Sequence, residues 1–166
     1  MSRKHMRGVY VVEFALVGLL LFILLLGVLE FGRLLFTVNT LEESVRRGAR
    51  LAVVCNIQDP VILQRAVFAE AGGTASSIIG NLDSAHLTLR YLDEDGAEIT
   101  GLSGALPSVS VADFQRIRFV EVRIDNFPFN LLVPIVGGGI VLQTFRSVLP
   151  RESLGRYPEG SEITKC

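Results

Sequence analysis

Between Phe14 and Leu29 the chain carries no charged residue, and over the longer stretch from Val9 to Leu29 the only charge is Glu13. At 1.5 Å of rise per residue, a helix from Val9 to Leu29 is roughly 31 Å long, the thickness of a bilayer's hydrocarbon core. The charge-free part alone falls short, so the span recruits Val9 to Val12 and extends past Glu30 toward Phe31, Leu34, Leu35 and Phe36. Arg3, Lys4 and Arg7 precede the run with no acid among them. The positive-inside rule therefore keeps residues 1–8 in the cytoplasm and sends the rest across. A cleaved secretory signal would end in a small-x-small site, whereas this run ends in Gly-Val-Leu-Glu-Phe-Gly-Arg.

The remainder of the 166 residues is enough for one compact exported domain. Without residues 1–8 the chain has 13 basic against 17 acidic residues, a formal charge of -4. Nothing resembles a basic stripe, and no nucleic-acid partner is expected.

After the span, Leu34, Val38, Leu41, Val45, Ala49, Ala52 and Val53 continue an apolar stripe at helical spacing, with Glu42, Glu43, Arg46, Arg47 and Arg50 around the rest. Glu42–Arg46 and Glu43–Arg47 are i,i+4 pairs with the acid first. The pattern predicts one helix from about Val9 to Val54, a stalk with its lower half in lipid. Gly48, with Ala49 and Ala52, offers a small-residue surface where a strand packs closely; a kink is the alternative. Pro60 starts a second, shorter helix over residues 61–71, ended by Gly72-Gly73. Residues 74–80 read as a helical turn or a loop. His86 to Leu92 alternate as a strand, Asp93-Glu94-Asp95-Gly96 form a turn, and residues 97–100 continue a hairpin. Residues 101–113, with three Ser, two Gly and Pro107, read as loop or irregular strand. Arg116 to Ile124 is the clearest strand, Gly139 to Leu149 the last, and Arg151 to Lys165 a polar tail.

Glu13 needs a reason, because a carboxylate at a bilayer edge is costly without a partner. One reading is an acid in the first helical turn, favoured by the helix dipole. The local order Arg7-Gly8-Val9-Tyr10-Val11-Val12-Glu13-Phe14 resembles the class III prepilin processing site of Flp and tight-adherence pilus systems, where a membrane-embedded aspartyl peptidase cuts after the Gly. The resemblance implies cleavage between Gly8 and Val9, leaving Glu13 at the fifth mature position beside a free amine. Glu30-Phe31-Gly32-Arg33 and Arg47-Gly48-Ala49-Arg50-Leu51-Ala52 are similar to motifs of the TadE-like pseudopilin family, as is Phe127-Pro128-Phe129-Asn130-Leu131-Leu132-Val133-Pro134 followed by Gly137-Gly138-Gly139. The family implies a minor pilus or pseudopilus component, with prepilin peptidase, other pilins and an inner-membrane assembly platform as partners.

The expected architecture is α+β and pilin-like: cytoplasmic leader 1–8, transmembrane helix 9–33, and exported domain 34–166 with a short helix and a small antiparallel sheet on the upper helix. Glu13, Phe14, Gly18 and Gly27 are the candidate assembly contacts, although the glycines are not spaced as G-x-x-x-G. Glu30, Arg33, Gly48 and Arg50 are candidate structural positions. Cys55 and Cys166 lie in the exported part, where a disulfide persists; two free or intermolecular thiols are the alternative.

Catalytic patterns are thin. His5 and His86 make no pair in the processed chain, and the cysteines lack zinc-site spacing. The serines lack a nucleophile elbow, and Gly137-Gly138-Gly139 lacks the Lys-Ser/Thr end of a phosphate loop. Asp93, Glu94 and Asp95 read as a solvated turn more readily than as a cation site. A non-enzymatic subunit without cofactor or metal is expected. The alternative is an unprocessed single-pass adhesin or envelope scaffold.

Overall fold

The computed structural model describes residues 6–70, 72–102, 109–132, 139–156 and 166. Arg3, Lys4, His5, Pro107, Pro134, Gly137, Gly138 and most of the expected polar tail lie outside the described residues, as does the side chain of Arg7. The chain is α+β, with helix α1 (Met6–Val54), helix α2 (Pro60–Ala66), a 3₁₀ turn (Ser84–His86), strand β1 (Leu87–Leu92), helix α3 (Val111–Arg116), and strands β2 (Phe119–Ile124), β3 (Pro128–Asn130), β4 (Gly139–Val141) and β5 (Phe145–Pro150). Two compact units result: Met1–Phe36 with Phe129–Ile140, and Thr37–Pro128 with Val141–Cys166.

In the larger unit, an antiparallel sheet in the order β1-β2-β5 supplies one layer. Leu87 pairs with Ile124 and Leu92 with Phe119, while Phe119 pairs with Pro150 and Ile124 with Phe145. Leu41, Val45, Ala49 and Ala52 of α1 are buried at three- and four-residue spacing, in one core with Val120, Val122 and Ile124 of the central strand. Glu42 pairs with Arg46 at 2.9 Å. Arg47 does not take Glu43 as its partner but lies over the Phe68 ring, 4.8 Å from its centroid.

That contact accompanies an earlier end to α2 than the glycine pair suggests. Asp59 accepts a hydrogen bond from the Val61 N–H at 3.0 Å and Pro60 opens the helix. Phe68 then turns left-handed at φ 58°, one residue past the Val67 cap. The glycines that follow are not the stop. Residues 74–80 form turns and isolated bridges rather than a helix.

The 101–113 stretch also differs from expectation, because Val111–Arg116 is a helix. Ser110 caps it: its Oγ accepts from the Asp113 N–H at 3.0 Å and donates to the Asp113 carboxylate at 2.7 Å. Beyond β1 the hairpin continues as an isolated Leu92–Glu98 bridge, with Asp93 N–H to Ala97 carbonyl and Ile99 N–H to Tyr91 carbonyl bonds. The expected last strand is two strands, β4 pairing with β3 in a second sheet and β5 with β2.

Residues 151–156 are not all a polar tail. Leu154 is fully buried, and the N–H groups of Leu154 and Gly155 donate to the Val53 and Val54 carbonyls, both at 3.0 Å. These are terminal carbonyls of α1, which lack partners within their own helix. Cys55 and Cys166 form a disulfide with a Cα–Cα distance of 5.8 Å.

Candidate functional site

The apolar half of α1 is uncovered. Every large apolar side chain from Val9 to Leu29 is exposed, Phe14 at 80%, and the helix is long and apolar enough to cross a membrane. Such a surface carries a high cost in water and little in hydrocarbon, where the helix already satisfies its own backbone groups.

Gly8, Val9, Glu13 and Phe14 all lie within α1 and are exposed. Among the described residues, α1 already includes Gly8. Val9 and Glu13 are four residues apart and share a helix face. Gly18 and Gly27 have open space where a side chain would stand. Nine steps at about 100° each place them on opposite faces, whereas Glu13 and Gly27 fall within about 40° of one face. The helix thus does not bring the two glycines onto a common surface.

At the end of the span, two sequence stretches meet. Glu30 receives the Arg33 guanidinium at 2.7 Å, and both its carboxylate oxygens lie 3.3 Å from the Leu132 N–H. Arg33 also sits 5.3 Å from the centroid of the Phe129 ring, and Phe129 is buried. A carboxylate that accepts from a guanidinium and a backbone N–H offsets part of its desolvation cost. The two motifs are separately legible in the sequence, but their contact across some hundred residues is not. The one hint is that an acid and a base end the apolar helix while an uncharged aromatic-Pro-aromatic stretch returns much later.

Gly48 lies in the larger unit against α2 and β2. A Cβ there would stand 3.1 Å from the Ala66 Cβ and 3.2 Å from the Val122 Cγ1, so the missing side chain permits the close approach. Arg50 is exposed.

Residues 8–50 match the family model of TadE-like proteins.

That TadE-like match spans most of α1 and includes the residues from Gly8 and Glu13 through Glu30–Arg33 to Gly48 and Arg50. The Phe127–Pro134 stretch and both cysteines lie outside it. No curated protein and no solved structure matches the chain. One candidate membrane helix together with a TadE-like segment fits a membrane-anchored, pilus-associated protein.

Two of the groups weighed for chemistry, His86 and Asp93, make local contacts. His86 Nδ1 lies 2.7 Å from Asp83 Oδ1, and its ring meets Phe127 edge-on. Asp93 Oδ1 accepts from the N–H groups of Asp95 and Ala97, shaping the turn in which Gly96 is left-handed. Among the described residues, no group of three or more His, Cys, Asp or Glu is placed to hold a metal ion.

Proposed function

We propose that this protein is a minor pseudopilin or pilus-assembly subunit of a Flp/Tad-type apparatus, anchored in the bacterial inner membrane by α1 and processed by a prepilin peptidase after Gly8. The observation that carries the reading is the TadE-like match over residues 8–50, which coincides with the uncovered apolar helix. Its work is association rather than catalysis. Glu13 and Gly27 present one face to a neighbouring pilin or pseudopilin helix, and Gly18 presents the opposite face to another. In lipid the small residues let backbones approach, and the new Val9 amine shares the cost of the Glu13 carboxylate within one chain or between neighbours. An inner-membrane assembly platform is the remaining partner.

Processing requires the bond after Gly8 to leave its helix. Apart from proline, glycine holds helix least well, by about 1 kcal/mol relative to Ala, so the cut falls where unwinding costs least. The second reading is an unprocessed single-pass adhesin or scaffold, favoured by the continuation of α1 through Gly8 to Met6. Coexpression with a matching prepilin peptidase separates the two. The proposal expects a product beginning at Val9 and a block in Gly8→Leu; a chain that stays intact beside an active peptidase supports the plain anchor.

A further inference from the structure

The uncovered helix explains membrane attachment by residues 9–29, but it leaves unexplained why Phe129 and Leu132, from an uncharged stretch far along the chain, meet Glu30 and Arg33 at the end of that span. From Asn126 to Phe145 the sequence has no charged residue. Within it, Leu132 is 62% and Ile140 46% exposed, and both belong to the same compact unit as the membrane part of α1. Leu132 is held by its backbone N–H on the Glu30 carboxylate. Its depth is therefore set by Glu30, which directly follows the roughly 31 Å apolar stretch and so lies toward the far end of the span, near the headgroups. An exposed leucine fixed at that depth meets lipid rather than bulk water.

We propose that the paired strands β3 and β4 carry a second membrane contact, in which Leu132 and Ile140 enter the headgroup–acyl boundary of the outer leaflet and Glu30 and Arg33 clamp the segment there. The occupant is the phospholipid bilayer itself, because Leu132 is tied to Glu30 at the end of the lipid-facing helix and Ile140 belongs to the same compact unit. Arg33 suits the location. Its guanidinium lies over the Phe129 ring and neutralises Glu30 at the level of the lipid phosphates. Two contacts, one spanning and one interfacial, restrict the tilt and rotation of α1 more than the helix alone can. The proposal rests on the membrane reading of α1.

The chain contains no tryptophan, so single substitutions give unique fluorescent reporters. Leu132→Trp, Leu20→Trp and Val148→Trp are each made in the full chain and reconstituted into phosphatidylcholine–phosphatidylglycerol vesicles whose acyl chains are brominated near the headgroup or near the chain end. Leu132→Trp is expected to emit at shorter wavelength than Val148→Trp and to lose about half its intensity to the shallow bromines, as for a side chain buried some 5–10 Å into the interface. Leu20→Trp is quenched most by the deep bromines and Val148→Trp by neither. Adding Glu30→Ala should relieve the quenching of Leu132→Trp and leave that of Leu20→Trp unchanged.

Water-like, unquenched Leu132→Trp emission beside a quenched Leu20→Trp overturns the second contact and leaves the anchor standing. Blue-shifted but unquenched emission means that protein covers the patch and also overturns it. If Leu20→Trp escapes quenching, the membrane reading itself falls. Full retention of Leu132→Trp quenching in the Glu30→Ala background contradicts the clamp.

Discussion

Gly48, Gly155 and Tyr91 each impose a local constraint in the larger unit. At Gly48, helix propensity alone favours a substitution to Ala by about 1 kcal/mol, but the space is already occupied by Ala66 and Val122. A larger side chain must displace β2 or α2. Gly48→Leu should therefore destabilise the protein by roughly 1–3 kcal/mol in denaturant titration, the usual cost of overpacking. Gly155 is more restrictive. It is left-handed at φ 80°, and a Cβ would lie 2.6 Å from the Asn56 Cα, so backbone has to move. Gly155→Ala should cost about 2 kcal/mol or more and lower the thermal midpoint. Tyr91 is buried and its hydroxyl accepts the Gln58 N–H at 2.9 Å. Burial pushes its pKa from the ordinary 10 to about 12, with Asp59 adding to the rise and the Gln58 bond opposing it. The raised value means that the folded state keeps a proton the unfolded chain has lost. The stabilisation is complete below pH 10 and disappears as pH rises toward 12, a loss of roughly 2–3 kcal/mol. In Tyr91→Phe the alkaline fall of stability should be shallower, as followed by denaturant midpoints against pH.

At the scale of elements, the fastening of the end of α1 makes the clearest prediction. Leu154 is fully buried, its neighbour Gly155 shares the capping of the helix carbonyls, and the disulfide ties Cys166 to Cys55 across a separation of 111 residues. Leu154→Ala should cost about 2–5 kcal/mol as a large-to-small core change. Reducing the disulfide should cost up to about 5 kcal/mol on the loop-entropy scale, and a thermal melt with and without reductant measures it. The long helix, α2, β1 and β2 were legible because each has either a periodic apolar face or a strong turn signal. Leu154 was not, since one leucine among Arg, Glu, Ser and Gly forms no period, and its burial depends on a helix end a hundred residues earlier. The α3 helix was hidden differently. Ser110 and Asp113 are a cap signal, but six residues beside Gly, Ser and Pro fall below the length at which periodicity speaks. The split of the last strand into β4 and β5 is a tertiary choice, because two different partner strands compete for one apolar stretch.

For the whole molecule, the uncovered apolar helix, the TadE-like segment and a small sheet packed on the buried half of the same helix fit a membrane-anchored, pilus-associated protein. The half of the reading that came from hydropathy was visible at once, because a bilayer selects strongly for length and apolarity. The proposed assembly role rests on motif order, since Glu13 stands exposed on an uncovered helix. If that role is association, Glu13→Ala should still be cleaved but should recover several-fold less pilin partner in pull-downs from detergent-solubilised membranes. Equal recovery would remove Glu13 from the interface. The most direct test is N-terminal sequencing of the protein from membranes of its native host with the prepilin peptidase active. The account predicts a chain beginning at Val9, with Glu13 fifth; a protein that keeps the residues up to and including Gly8 would contradict it.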